Sequence, residues 1–303
     1  MSMNVVFCPE MIAPAQGYSP SANKPGQVMR AWQELWPDLV IRPAIPVSES
    51  DFVRAHKTEY VADVFALRSA NGFGSRSTEV NVSLPYTSGA LLTAARWALA
   101  EKTNVAAPVS GFHHACWGSG GGFCTFNGLM VTALALQADH SDLKVGILDY
   151  DYHYGNGTDD IIDVLRANNI VHITAGRTYH QADQAQDFLS RIDTDLIALR
   201  HCDIVLYQAG ADPHIDDPLG GFLTTEELAE RDRKVFHGLR NVGIPIAWDL
   251  AGGYQKPLSK VITIHENTMR VCIQSMIGTQ ILLAKNGHSN VTPATDMVSG
   301  SYS

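Results

Sequence analysis

The sequence predicts an α/β protein whose central, mostly parallel β-sheet is flanked by helices on both faces. Short apolar segments recur along the chain, longer helical patterns lie between them, and no internal repeat or low-complexity linker interrupts this alternation. Strands that alternate with helices typically form a parallel sheet covered on both sides. With 303 residues and 45% hydrophobic residues, the chain can bury a large core, and we expect a single domain over residues 1–303.

Six apolar runs, each too short for a buried helix, are predicted strands. They cover residues 3–8, 103–108, 144–148, 170–174, 203–208 and 244–247. Segments with helical spacing of apolar residues cover residues 91–101, 128–138, 158–168, 188–200, 224–243 and 267–287. The stretch from Ala13 to Lys24 is expected to be a surface loop, and the Ser- and Thr-containing residues from about 290 to 303 a flexible tail.

The most informative segment is KVGILDYDYHYGNGT, residues 144–158, in which an apolar run ends in alternating polar residues. Asp149, Asp151 and His153 are two positions apart, and in an extended strand such residues point to the same side. Carboxylates and an imidazole suit a divalent ion such as zinc, which accepts oxygen and nitrogen ligands. The segment therefore predicts a metal site, with an acidic loop after a strand as the alternative.

Three further segments place polar residues near predicted strand ends or in a Gly-rich loop. AGADPHIDDPLGG puts Asp212 after an apolar strand, as a third possible ligand. GFHHACWGSGGGFCTFN carries His113 and His114 where glycines let the backbone approach a substrate closely. IPIAWDLAGGY ends a strand with two glycines and then Tyr254. Each segment alone is weaker support, but α/β sheets bind ligands at the carboxyl ends of their strands, where the strand-end residues fall.

In this order, these segments resemble the histone deacetylase family of metal-dependent amidohydrolases, within the arginase/deacetylase superfamily. The resemblance extends from RAHKTEYV, near Arg54, to the Gly-Gly-Tyr turn, and DPLGGFLTTEELAERDRKVF and GGYQK are most similar to the class IV branch and its bacterial relatives. It implies an arginase/deacetylase-like fold. It also implies an enzyme that removes an acyl group, with acetyl expected, from lysine or from a small amine such as a polyamine.

The resemblance assigns Asp151, His153 and Asp212 as ligands of the catalytic metal, expected to be Zn²⁺ with Fe²⁺ as the alternative. These three ligands would leave open positions for water and for an amide carbonyl. The family also carries a structural potassium ion. Here K⁺ would contact the backbone carbonyls of Asp149, Asp151 and His153 and the hydroxyl of Thr174.

The resemblance also assigns the proton-transfer residues. His114 would act as the general base, His113 would hold charge and orientation, and Asp149 would support His113 as a hydrogen-bond acceptor. Asn156 matches the position that contacts the second histidine, where an amide leaves its partner less cationic than a carboxylate would. Tyr254 would donate its phenolic hydrogen to the developing oxyanion.

Departures from the family pattern affect the pocket more than the metal ligands. Tyr154 stands where many relatives have a second histidine, and residues 177–202 lack a longer insertion that walls the acyl-lysine tunnel. We expect Tyr179 to replace part of that wall. The shortened wall predicts either a more open pocket or one that a neighbouring subunit completes in a homo-oligomer. Asp249, beside the Gly-Gly-Tyr turn, has no role that the sequence explains. His214, near Asp212, is interpreted as a loop histidine.

Composition restricts the partners and the compartment. A net charge of −9 without a basic run argues against nucleic acid as a partner and is compatible with a cationic amine substrate. No apolar stretch approaches the roughly 20 residues of a spanning helix, and MNVVFC is too short for a signal sequence, so we expect a cytoplasmic protein without membrane partners. The odd number of cysteines without a CxxC pair argues against a disulfide framework: Cys8, Cys116, Cys124, Cys202 and Cys272.

Two other functions remain open. An arginase-like hydrolase would need two metal ions and doubled DxDxD patterns, which the chain does not supply. A catalytically silent protein that binds acylated amines on the same fold would usually have lost a ligand, the base or the tyrosine. All six candidate positions are filled here, which favours an enzyme: Asp151, His153, Asp212, His113, His114 and Tyr254.

Overall fold

A computed structural model describes residues 3–14 and 17–286 of the chain, with side chains as far as residue 277. The flexible tail predicted for residues 290–303 lies outside the described residues. Within this range, none of the helices combines the length and the apolar character that a bilayer crossing requires.

Seven strands form one sheet in the order β2-β1-β3-β7-β6-β4-β5, and all neighbouring pairs are parallel. The strands are β1 Asn4–Val6, β2 Val40–Arg42, β3 Asn104–Ala106, β4 Val145–Asp149, β5 Ile170–Thr174, β6 Ile204–Gln208 and β7 Ile246–Asp249. The predicted α/β class is therefore confirmed. The edge strand β2 was not predicted, because three exposed residues give no buried alternation to detect.

Nine α-helices lie in the described part of the chain. They are α1 Lys24–Leu35, α2 Glu49–Ala55, α3 Thr58–Phe65, α4 Thr78–Glu101, α5 Gly128–Asp139, α6 Asn156–Leu165, α7 Ala185–Leu199, α8 Thr225–Asn241 and α9 Ser259–Asn286. Residues of α2 to α6 share one hydrophobic core with the sheet, and residues of α1, α7, α8 and α9 share the other. The sheet is thus covered on both faces, as the alternation of strands and helices predicts.

The central strands are apolar on both sides for this reason. In β6, Ile204 and Leu206 belong to one core and Val205 and Tyr207 to the other. A strand buried on both faces needs a continuous apolar run rather than an alternating one. Such runs are the signal by which the sequence predicted the strands that position the site.

The prediction of a surface loop from Ala13 to Lys24 is wrong for the residues of this stretch that are buried. Ala13, Ser19, Ser21 and Lys24 are buried, and Lys24 begins α1. Its Nζ donates a hydrogen bond of 2.6 Å to the carbonyl oxygen of Ala251. A buried ammonium group is tolerated only with such a partner and nearby negative charge. The partner lies 227 positions later in the chain, and the charge comes mainly from Asp212 and Asp151, which are also distant in sequence.

Candidate active site

Three neighbouring strands end together and place their following loops side by side. Asp149 ends β4, Gln208 ends β6 and Asp249 ends β7, and these residues are paired in register across the sheet. Parallel strands present all their carboxyl ends at one edge, so the segments after β4, β6 and β7 leave the sheet at the same place. The candidate residues predicted from four separate segments converge at this edge.

Asp151, His153 and Asp212 form a group that could hold one metal ion, since their ligand atoms all lie within 4.8 Å of one another. His153 Nδ1 is 3.2 Å from Asp151 Oδ1 and 3.0 Å from Asp212 Oδ2. Ligands about 2.1 Å from a tetrahedral ion are about 3.4 Å apart, so the spacing fits a divalent ion. Two carboxylates and one imidazole nitrogen are a donor set that zinc and iron both accept.

The charges of this group also favour a cation. Asp151 and Asp212 are almost completely buried, and burial together with the Asp151 carboxylate raises the pKa of Asp212 to about 7. Gly252 lets the neighbouring turn pass this close, because a Cβ there would lie 2.2 Å from Asp212 Oδ2. The Gly252 amide instead donates a 2.8 Å hydrogen bond to Asp151 Oδ2. The backbone thus orients the buried carboxylate pair, and His153 Nδ1 lies between the two carboxylates, within 3.2 Å of an oxygen of each.

The adjacent histidines have opposite electrostatic surroundings. His113 Nδ1 donates to Asp149 Oδ2 over 2.7 Å, and Gln208 Nε2 donates to the other oxygen of Asp149 over 2.8 Å. Burial alone would lower the pKa of His113, but Asp149 and Asp151 raise it to about 9. This histidine is therefore cationic at neutral pH.

His114 instead faces an amide. Its Nδ1 donates to Asn156 Oδ1 over 2.7 Å, which leaves Nε2 as the nitrogen with a free lone pair. Burial, and then the neighbouring His113, lower the pKa of His114 below its usual value. It is therefore neutral at pH 7, so the two histidines differ in protonation state at the same pH.

Tyr254 closes this part of the site. Its side chain is buried, its ring centroid is 5.6 Å from that of Phe123, and its backbone N–H donates to Asp217 Oδ2 over 2.7 Å. Burial, together with the charges of Asp212 and Asp151, raises the pKa of the phenol well above its usual value. The hydroxyl therefore keeps its proton at neutral pH and can serve as a hydrogen-bond donor.

The histone deacetylase domain model matches residues 21–181, which are 161 of the 303 residues. The chain belongs to the histone deacetylase family. This family consists of deacetylases and related amidohydrolases, so membership supports hydrolase activity.

An uncharacterized protein of Picosynechococcus is 27% identical over 275 residues, which cover 84% of each chain. Histone deacetylase 2 of Arabidopsis thaliana is 31% identical over 172 residues, which are 50% of this chain and 44% of that protein. The fold is also that of an acetylpolyamine aminohydrolase from Burkholderia pseudomallei, with a TM-score of 0.72 and 17% identity over 89% of this chain and 98% of that chain.

The structure reveals residues near this candidate site that the motifs did not indicate. Lys24 lies beneath it with its pKa lowered by burial to about 8, and Gln208 supports Asp149 from the next strand. His172 also lies near Asp149, with Nε2 3.9 Å from the same oxygen, Oδ2, that accepts from His113. No local pattern marks these residues, because each is a single polar residue in an otherwise ordinary helix or strand.

Asp249 now has a structural account. Its Oδ1 accepts a 2.9 Å hydrogen bond from the backbone N–H of Ala251, whose φ of 47° lies in the left-handed region. A non-glycine residue in this conformation is strained and needs support from its surroundings. Asp249, from one side, and Lys24, from the other, bond to the backbone of Ala251 and hold the turn that leads to Tyr254.

The expectation that Tyr179 forms part of a pocket wall is wrong. Tyr179 is buried in the core against Phe188 and Phe222, at centroid distances of 5.3 Å and 6.2 Å. The ring beside the candidate metal ligands is that of Tyr152, 5.3 Å from the ring of His153. Tyr179 precedes α7 and packs against Phe188 of that helix, so its ring belongs to the core.

His214 behaves as the loop histidine that the sequence predicted. Its Nε2 is 3.0 Å from Thr225 Oγ1, and its Nδ1 accepts a hydrogen bond from the Asp216 amide. Thr174, a candidate contact for potassium, is paired with Asp149 across the sheet and accepts a hydrogen bond from the Gly155 amide. The potassium site stays a prediction.

Proposed function

We propose that the protein is a zinc-dependent amidohydrolase that removes an acyl group, expected to be acetyl, from lysine or from a small amine such as a polyamine. The observation that carries the proposal is the arrangement at one sheet edge. Three residues suited to a metal ion lie beside one cationic histidine, one neutral histidine and one protonated, buried phenol. Metal-dependent amide hydrolysis uses this combination of a Lewis acid, a base and an oxyanion donor.

Asp151, His153 and Asp212 would hold the metal, with Zn²⁺ expected and Fe²⁺ as the alternative. A bound ion of this kind supplies Lewis acidity, polarising the amide carbonyl and lowering the pKa of water to about 7. The two carboxylates would offset most of the ionic charge. A separate base is then useful for removing the proton from water.

His114 is the proposed base, because it is neutral near pH 7 and its Nδ1 is occupied by Asn156. Its Nε2 would accept the proton of the attacking water and then return it to the leaving amine. His113, held cationic by Asp149, would provide positive charge beside the reacting carbonyl. A base and a fixed cation next to each other would separate the tasks of proton transfer and charge stabilisation.

Tyr254 would donate its hydroxyl hydrogen to the oxyanion that forms when water adds to the carbonyl. The phenol is buried, so this hydrogen bond would form with little competition from solvent and strengthen as negative charge develops. The raised pKa of Tyr254 favours this role, since a phenolate could not donate.

An apolar cavity of about 60 Å³ lies close to the phenol and offers room for the acyl group. Phe123, which packs on Tyr254, lines it together with Cys124 and residues of α4. A site for an acylated amine needs apolar space on the acyl side of the carbonyl and access to solvent for the amine. The cavity supports an acyl substrate, with chain length to be determined experimentally.

The remaining parts of the proposal concern the surroundings of the enzyme. K⁺ would contact the carbonyls of Asp149, Asp151 and His153 with the Thr174 hydroxyl. The net charge of −9 favours cationic amines over nucleic acid as partners. We propose a cytoplasmic location and allow for a homo-oligomer.

The test is to measure the metal content of the purified protein and its turnover of a panel of amides. The panel contains acetyl-lysine peptides, longer acyl-lysine peptides and acetylated polyamines. About one zinc ion per chain with turnover would support the proposal, and the preferred amide would name the substrate. One ion without turnover of any amide would favour the silent binding protein, whereas two ions per chain would favour an arginase-like enzyme.

A further inference from the structure

The buried guanidinium of Arg231 lies behind the candidate metal ligands without touching them. Arg231 belongs to α8 and its side chain has no exposed surface. One nitrogen, Nη1, donates to the carbonyl oxygen of Tyr150 over 3.0 Å and to that of Gly210 over 2.7 Å. Tyr150 directly precedes Asp151, and Gly210 lies two positions before Asp212. One nitrogen thus joins the two backbone segments that carry the aspartate ligands.

The position of this bridge matters because the sheet no longer holds these segments. The ladder between β4 and β6 ends at the pair Asp149 and Gln208, and one further hydrogen bond follows, from the Tyr150 amide to the Gln208 carbonyl. Beyond this hydrogen bond, the two backbone segments have left the regular sheet. In place of backbone hydrogen bonds between the strands, Arg231 donates one hydrogen bond to each segment.

Arg231 is itself held in place by a buried network. Its Nε donates to Asp232 Oδ1 over 2.8 Å. The same carboxylate accepts hydrogen bonds from the Tyr207 hydroxyl over 2.5 Å and, at its other oxygen, from the Thr268 hydroxyl over 2.6 Å. Because Tyr207 lies on β6 and Thr268 on α9, the network fixes the guanidinium relative to the sheet. A guanidinium has the planar, forked set of donors that this arrangement uses, and an ammonium group does not.

We propose that Arg231 is a positioning residue for the metal site, setting the spacing of the Asp151 and Asp212 carboxylates and so increasing the affinity for a divalent ion. Its full positive charge behind the site also opposes the repulsion between these carboxylates. The inference rests on the proposed metal ligands, but not on any particular amide substrate. Outer contacts that orient metal ligands typically change metal affinity by about 10- to 100-fold when they are removed.

The experiment measures Zn²⁺ affinity of the full chain by competition with a chromogenic chelator, in the absence of substrate. Arg231→Met keeps most of the volume but removes the charge and the donors. Arg231→Lys keeps the charge and some donors but lacks the planar, forked guanidinium. We expect a roughly 10- to 100-fold weaker affinity for Arg231→Met and a smaller loss for Arg231→Lys. The visible absorption of the Co²⁺-loaded variants, which reports ligand geometry, should change in the same order.

Asp195→Asn is the matched control. Asp195 is a buried carboxylate that accepts a 2.9 Å hydrogen bond from the Tyr150 hydroxyl, so it touches the side chain of Tyr150 but not its carbonyl. This variant should bind Zn²⁺ like the unchanged protein and give the same Co²⁺ spectrum. A loss as large as that of Arg231→Met would mean that any disturbance near Tyr150 weakens the site, which would overturn the specific role of Arg231.

A second variant keeps the inference testable if Arg231→Met does not fold, as circular dichroism would show. Thr268→Val removes one donor to Asp232 without changing the size of the side chain, and should weaken Zn²⁺ binding less than Arg231→Lys does. Unchanged Zn²⁺ affinity in folded Arg231→Met would refute the inference. If that variant does not fold, unchanged Zn²⁺ affinity in both Arg231→Lys and Thr268→Val would refute it. Absence of Zn²⁺ binding by the unchanged protein would refute it together with the metal site, whereas tight binding without amide turnover would contradict only the proposed function.

Discussion

Replacing Tyr254 with Phe isolates the contribution of a single hydroxyl. The ring remains against Phe123 and the backbone N–H of residue 254 keeps its hydrogen bond to Asp217, because neither contact involves the phenolic oxygen. Loss of one oxyanion donor in a site screened from solvent lowers kcat by about 10²- to 10³-fold, or about 2.7–4 kcal/mol. We expect a loss in this range, since the side chain of Tyr254 is only 7% exposed.

The assay is steady-state hydrolysis of the best amide from the panel, with zinc content measured on the same samples. The fall should be in kcat and kcat/KM alike, because the hydrogen bond strengthens in the transition state. Tyr179→Phe is the matched control: Tyr179 is 6% exposed, a similar value, but packs in the core against Phe188. It should leave kcat unchanged.

Two results would refute the reasoning about Tyr254. Turnover within a few-fold of the unchanged protein, at full zinc occupancy, would remove the hydroxyl from the mechanism. Loss of zinc from Tyr254→Phe would show instead that the tyrosine supports the metal site, since a pure oxyanion donor leaves metal content unaltered.

Asp212→Ala should remove most of the bound metal, because it deletes one of three ligands, and metal analysis showing full occupancy would exclude Asp212 from the ligand set. Asn156→Asp should raise the pKa of His114, since a carboxylate favours the imidazolium. The acid limb of kcat/KM, where activity increases as His114 loses its proton, would then move to higher pH, and an unmoved limb would contradict the role of His114 as base. Gly252→Ala should weaken metal binding, because its Cβ would lie 2.2 Å from Asp212 Oδ2. The control is Gly118→Ala, which should bind metal normally because no atom lies within 4 Å of its Cβ. Equal metal affinity of the two variants would show that the turn can move aside.

The sequence predicted six of the seven strands and the candidate ligands, because both are local patterns. An apolar run followed by Asp149, Asp151 and His153 at alternate positions indicates a buried strand, its carboxyl end and its polar side at once. Parallel strands then bring Asp212 to the same edge. The contacts of Asp149 with His113 and of Asn156 with His114 lie where the family resemblance placed them.

The N-terminal helices α1, α2 and α3 were missed because they are short or lack a clean apolar face over a long window. In α1, buried Lys24 and Pro25 precede Val28, so the buried side of the helix does not read as apolar at its start. Lys24 is buried only because the carbonyl of Ala251 and several carboxylates lie above it in the folded protein. A local pattern contains none of these partners.

The sequence by itself determined the class of fold, the edge of the sheet at which chemistry is expected and the residue types available there. Only the tertiary structure decided how these residues are supported and charged. Tyr179 packs in the core instead of the pocket, and Asp249 supports the strained turn. Arg231 joins two backbone segments that lie 81 and 21 positions away in sequence. Burial and charge depend on such distant neighbours, because the surroundings of a side chain form only when the helices pack onto the sheet.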